Sequence, residues 1–489
     1  MLGNKLKQIL ISFDKREMTR FCEFVHSPYY NKHEKVQALI SHLNEHFPDI
    51  EGEDCAPNTL YQHLYPGEAF EKNKLSVVFT YSQRLVEDFL SLEKFQGRAH
   101  WKSILLLENL RQRKINGLYE KNLQKVSKTI EDETLSNRAQ LFDHYLLSAE
   151  KYDYYDGIGK RQEDFSFQEK QNALDYFYLA EKFKDACEKQ VRSKILNVDY
   201  RSRLMDAAIA EIEHHQEEYN HIPGIYMYYK FYLMLSREHE LQYYFDAYRF
   251  LVDHEDGFLR GELIQLYNYL QNYCIEKINE GQSDFLKEVF KLYQQQLQNG
   301  LLIEDGYLSE WHYKNIVTTG IRLNELPWVH GFIQEYKKRL HPRSEENAYC
   351  FNLASYFHAN GQYDEVLELL TQVEYSDQRY NLGAKALLLR TYYELDELEP
   401  LVSLHHSFRQ YLLRNKIMSE GMRKGYYNLF KITKRCALIR SNRGFYSTER
   451  FKKELKQVEK ILNNTPAVFN RSWLEEKIAM LHQELISIE

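Results

Sequence analysis

Scarcity of chain breakers is the feature that most restricts what this chain can fold into. Its 489 residues include only 20 Gly and 9 Pro, too few turn-making residues for a sheet-rich protein of this length. The expected fold class is therefore all-α, with helices joined by short connections. Large side chains supply much of the 43% hydrophobic content: 39 Tyr and 27 Phe can bury a ring between helices and keep a polar tip wet. The length suits about two to four ordinary domains, or one elongated repeat structure with no central core.

Prolines divide the chain. Pro28, Pro48, Pro57 and Pro66 fall early and predict an N-terminal module, 1–100, of short helices at 4–12, 15–26, 33–46, 58–64 and 71–94. The last carries Leu75, Val78, Phe79, Leu85, Phe89 and Leu92 at helical spacing. A connecting region of longer helices, 101–222, follows. There the segments 101–130, 134–155 and 166–194 alternate charged and apolar residues, as in Leu174, Phe177, Tyr178, Phe183 and Ala186. Gly157, Ile158 and Gly159 mark the loop between the second and third.

Residues 223–489 carry a repeating frame. Ala354, Phe357, Gly361, Tyr363, Val366, Leu370 and Val373 stand at relative positions 0, 3, 7, 9, 12, 16 and 19. The same spacing starts at Leu389, Val317, Cys274 and Tyr232, and its turn position holds Asp396, Asn324, Gly281 and His239. This spacing resembles the tetratricopeptide repeat over about residues 225–410. The starting points lie 42, 43, 37 and 35 residues apart, against a family period of roughly 34. The resemblance implies an α-solenoid of stacked antiparallel helix pairs (TPR-like), which binds partners along an extended groove; a generic helical bundle fits part of the same frame. At the C-terminus, Ser472 and Glu475 have capping-box spacing, and Leu474, Ile478, Leu481 and Leu485 form one apolar stripe, as a capping helix requires.

A net charge of -7 argues against a protein dominated by nucleic-acid binding. Cys22, Cys55, Cys187, Cys274, Cys350 and Cys436 stand far apart without a CxxC pair, so they read as buried thiols in a reducing compartment. The N-terminus lacks a secretion signal's apolar core, and no uncharged apolar run approaches the ~18 residues of a membrane span. A cytoplasmic location without membrane attachment is expected. Phosphate-loop, dinucleotide-binding and nucleophile-elbow motifs are absent from the sequence, and His33, His239 and His254, each followed by Glu, lack the second histidine of a zincin. No catalytic or cofactor-binding residues are assigned, and no cofactor is expected.

Several clusters have a chemical reading beside a plain one. His214, Glu218 and His221 would line one helix at i, i+4 and i+7, a set able to hold zinc; a solvated helix face ending before Pro223 is the simpler reading. His42 and His46 form an i, i+4 pair whose helix offers no third ligand, so they read as surface histidines. His405, beside His406, occupies an apolar frame position and reads as a core histidine. No metal site is assigned.

Between Arg409 and Lys460, 15 basic and 4 acidic residues give a local charge of +11. Arg414, Arg423, Lys424, Lys431, Lys434, Arg435, Arg440 and Arg443 are interleaved there with Tyr411, Tyr426, Tyr427, Phe430, Phe445, Tyr446 and Phe451. Such bases could meet phosphates while rings stack on nucleobases, or the rings could pack between helices beneath a solvated basic face. Tyr226, Tyr228, Tyr229, Tyr232, Tyr243, Tyr244 and Tyr248 offer either peptide anchors or interhelical packing.

The sequence thus points to a non-catalytic intracellular protein-interaction scaffold that binds a peptide or protein in a solenoid groove. The alternative is a nucleic-acid-associated regulator using 58–64 and 71–94 as a helix-turn-helix together with the basic segment 409–460.

Overall fold

A computed structural model of the protein describes residues 4–131, 134–159, 165–372, 378–414 and 418–486. The chain is all-helical: twenty-four α-helices lie among the described residues, beside one two-stranded hairpin, Ile303–Glu304 with Tyr307–Leu308. It divides into two compact units, Met1–Ser236 and Arg237–Glu489.

The N-terminal unit opens with short helices close to the sequence expectation: Asn4–Ile11, Lys15–His26, Glu34–Glu45, Pro57–Leu64 and Lys72–Gln96. Asp14 and Glu17 close a capping box at the start of the second, satisfying amide groups that have no partner inside the helix. Lys72–Gln96 lies across the first three helices. Its Phe89 ring meets Phe13, Phe21 and Phe24 at centroid distances of 5.9, 5.4 and 5.6 Å. Val86, not Leu85 or Leu92, is fully buried on this helix.

The predicted segment 101–130 is two helices, Ala99–Gln112 and Asn116–Glu131. Lys114 takes the left-handed conformation between them, φ 57°. A break at Lys carries no sequence signature, because the penalty for a Cβ there is only ~1–2 kcal/mol and the packing of the two halves outweighs it: Leu107 and Leu110 bury with Tyr119, Leu123 and Val126. Tyr119 also stacks on Tyr154 at 3.8 Å, and Arg111 grips the buried Glu150 carboxylate through two hydrogen bonds of 2.8 Å. The predicted segments 134–155 and 166–194 correspond to Arg138–Gly157 and Ser166–Leu196, with Pro223–Ser236 packed on the latter.

In the C-terminal unit helices come in pairs. Arg260–Asn279 packs on Phe285–Gln298, Glu310–Arg322 on Leu326–Tyr336, Glu345–Ala359 on Tyr363–Gln372, Gln378–Glu394 on Leu398–Arg414, and Glu420–Ser441 on Thr448–Asn463. One backbone device closes four of these pairs. Gly281, Asn324, Gly361 and Asp396, all at the turn position of the repeating frame, have φ of 93°, 60°, 77° and 60°. The next residue's amide then reaches back to a carbonyl five residues earlier, as in Gln282 to Lys277, Glu325 to Gly320, Gln362 to Phe357 and Glu397 to Tyr392, all at 2.9 Å. Carbonyls left over at a helix end are satisfied in this way, and the chain reverses in very few residues. His239 is not among the left-handed residues. The frame starting at Tyr232 straddles the boundary between the two units, and Val373 lies outside the described residues.

First helices of successive pairs also meet: Glu310–Arg322 packs on Glu345–Ala359, which packs on Gln378–Glu394, which packs on Glu420–Ser441, which packs on the terminal helix Arg471–Ile486. The stripe Leu474, Ile478, Leu481 and Leu485 is buried as expected. Ser472 is not its N-cap: the helix begins at Arg471, whose guanidinium bonds the Leu462 and Thr465 carbonyls at 2.9 and 2.5 Å.

Candidate binding cavity in the C-terminal unit

Side chains from several of these first helices and from the terminal helix line one cavity of ≈ 690 Å³. Lys314 and Arg322 come from Glu310–Arg322, Phe351 and His358 from Glu345–Ala359, Arg390 and Glu394 from Gln378–Glu394, and Trp473, Glu476 and Lys477 from the terminal helix. Small residues make room: a Cβ at Gly383 would stand 2.9 Å from the Phe351 ring, and one at Gly425 would stand 2.7 Å from Phe469.

Opposite charges organise one wall. Lys477 is 7% exposed, and its Nζ lies 3.0 Å from carboxylate oxygens of both Glu394 and Glu476. Burial lowers its pKa, yet the hydrogen bonds and charge of those two carboxylates outweigh burial and leave the pKa raised, so Lys477 stays a cation. Trp473 Nε1 donates to the same Glu394 oxygen at 3.0 Å. Both carboxylates in the cavity are therefore already engaged.

The other wall is incompletely satisfied. Arg390 Nε and His358 Nε2 are buried and have no hydrogen-bond partner. Desolvation pulls the Arg390 pKa down to about 10, with Glu394 opposing, so the group is still a cation at neutral pH. Desolvation, reinforced by the Arg390 and Lys477 charges, pushes His358 down to about 3; it is a neutral imidazole. Buried polar groups without a partner are uncommon and costly, ~1–3 kcal/mol each. An acceptor that reached Arg390 would relieve it, and His358 as well in the tautomer that carries its proton on Nε2; a carboxylate would add charge attraction to Arg390, whose guanidinium sits 6.0 Å from the Trp473 ring centre. Sequence reasoning missed this set because its members lie on three helices far apart in the chain.

Clusters singled out from the sequence fare differently. His214, Glu218 and His221 do not line one helix: Met205–His214 stops at the first, Gln216–Tyr219 is a separate turn, and Tyr176 donates to Glu218 at 2.6 Å. His42 and His46 do gain a third neighbour, Cys55. His405 is buried as expected, but its Nδ1 has no partner. In the basic segment Phe430 and Phe451 are core residues, Phe430 stacking on Phe408 at 4.1 Å, whereas Phe445 is 86% exposed. Arg440 pairs with Asp396 at 3.0 Å, Arg443 with Glu484 at 3.4 Å and Lys424 with Glu420 at 2.6 Å. Tyr228, Tyr229 and Tyr244 are buried between helices, so they are not exposed anchors. Pro57–Leu64 packs on Glu34–Glu45, and Lys72–Gln96 turns its apolar face to other helices of the module.

No protein family, curated protein or solved structure matches the chain.

Proposed function

We propose that the C-terminal unit is a TPR-like α-solenoid and that the protein is a non-catalytic scaffold holding an acidic peptide segment of a partner protein. The observation that carries this reading is the cavity lined by Arg390, His358 and Trp473, two of whose buried nitrogens, Arg390 Nε and His358 Nε2, have no hydrogen-bond partner. The recurring left-handed turns and the succession of packed first helices support the solenoid. No disulfide forms among the six cysteines, which suits a reducing, cytoplasmic setting, and no helix of the described residues is long and apolar enough to cross a membrane. The nucleic-acid reading is less well supported, since two of the interleaved rings are core and several bases already have acidic partners.

An array of short peptides containing Asp or Glu beside aromatic residues, paired with Asn and Gln counterparts, tests the proposal. The acidic members should be retained, and Arg390→Met should weaken them about tenfold or more, because a hydrogen bond to a charged group contributes ~1.5–3 kcal/mol. Equal retention of acidic and amide peptides, or binding indifferent to Arg390→Met in a folded variant, would sink it.

A further inference from the structure

The N-terminal unit holds a second set of chemically capable side chains, outside the cavity and independent of the peptide reading. In the helix Glu34–Glu45, Leu39, Ile40 and Leu43 are buried in the core, and helical spacing sets His42 beside His46, which caps the helix. Their ring centroids are 4.3 Å apart. The chain then doubles back, and the short 3-10 turn Glu53–Cys55 brings Cys55, 3% exposed, to the same spot. One ligand atom from each of His42, His46 and Cys55 lies within 4.8 Å of the other two, the only such grouping of three His, Cys, Asp or Glu among the described residues.

The rings are already oriented. His42 Nε2 donates to the Asp54 carbonyl at 2.9 Å, and His46 Nδ1 donates to the His42 carbonyl at 2.8 Å. In neutral imidazoles this leaves the lone pairs on His42 Nδ1 and His46 Nε2. Holding the second nitrogen with a carbonyl is the outer-shell arrangement that fixes a metal-binding histidine. Asp54 Oδ2 stands 3.9 Å from His46 Nε2, too far for a hydrogen bond but beside a fourth position.

We propose that His42, His46 and Cys55 bind a divalent transition metal of the zinc class, with Asp54 or water in the fourth position, and that the ion staples the turn Glu53–Cys55 to the helix Glu34–Glu45. Two imidazoles and a thiolate form a borderline-soft donor set that suits Zn(II). Tetrahedral bonds of the usual length separate such ligand atoms by roughly 3.3–3.6 Å, so binding draws the three groups together from their present spacing. Binding converts the Cys55 thiol to a thiolate and releases its proton to solvent.

The test uses the full chain, stripped with chelator and titrated with Co(II) as a spectroscopic probe. One equivalent should bind with a thiolate-to-cobalt charge-transfer band and the visible bands of a tetrahedral ion, and Zn(II) should displace it. Cys55→Ser should abolish the charge-transfer band, and His46→Gln should weaken binding at least tenfold, with circular dichroism confirming that both variants fold. Cys22→Ser and His214→Ala should bind like the parent. Absence of the thiolate band in the parent, its survival in Cys55→Ser, or its loss in Cys22→Ser would overturn the assignment.

Discussion

Glycines in this protein act by what they lack, and Gly320 is the sharpest case. A Cβ there would run into Val329 on the paired helix and come within 3.2 Å of Phe290, so the close approach of Glu310–Arg322 to Leu326–Tyr336 depends on a bare backbone. Gly331, on the second of those helices, has nothing within 4 Å of the same hypothetical atom. Gly320→Ala is therefore expected to destabilise the unit by ~1–3 kcal/mol through overpacking, whereas Gly331→Ala should stabilise it by up to ~1 kcal/mol through helix propensity. Chemical denaturation of the two variants measures both signs, and a neutral Gly320→Ala would show that the pair can spread. The sequence marks Gly320 as a frame position but not its neighbours, because Phe290 belongs to a different helix pair.

Elements are joined here by a recurring left-handed turn. Where that position is glycine, as at Gly361 with φ 77°, the conformation is free of Cβ strain; at Asp396 a left-handed φ of 60° is held by a residue with a Cβ. Gly361→Ala should cost ~1–2 kcal/mol, and Asp396→Gly should be neutral or stabilising by a few tenths of a kcal/mol. Thermal melts of the two variants moving in the same direction would refute the shared role of the turns. Most helices were legible from spacing and breakers, as with Lys15–His26 between Asp14 and Pro28. The break at Lys114 was not, since nothing local distinguishes that lysine and the decision lies in the packing of Leu107 and Leu110 on Tyr119 and Leu123.

At the scale of the whole molecule, the C-terminal unit carries three histidines with depressed pKa: His312 by desolvation, His358 at about 3, and His405, which desolvation and then the Lys434, His406 and Arg409 charges push to about 4. The ordinary histidine value is 6.5, so between 6.5 and the folded values the unfolded chain binds more protons than the folded one. Their contribution to stability is intact above pH 6.5 and is lost as pH falls toward 4 and 3. The melting temperature of the C-terminal unit should drop over that window, and His405→Leu should flatten the dependence. An unchanged profile in a folded His405→Leu variant would mean that other groups govern the acid response.

The sequence by itself determined that the chain is helical, roughly where most helices lie, which residues reverse the chain between paired helices, and that His42 stands beside His46. Those properties depend on neighbours within a few residues, through backbone propensity, breakers and 3.6-residue periodicity. Only the tertiary structure decided that Cys55 joins the two histidines and that Arg390, His358 and Trp473 face one cavity. It also decided that Glu394 and Glu476 are spent on Lys477. Each of these depends on how separate helices and turns pack, and burial, which leaves Arg390 Nε and His358 Nε2 without a protein partner, is a property of that packing and not of any local run of residues.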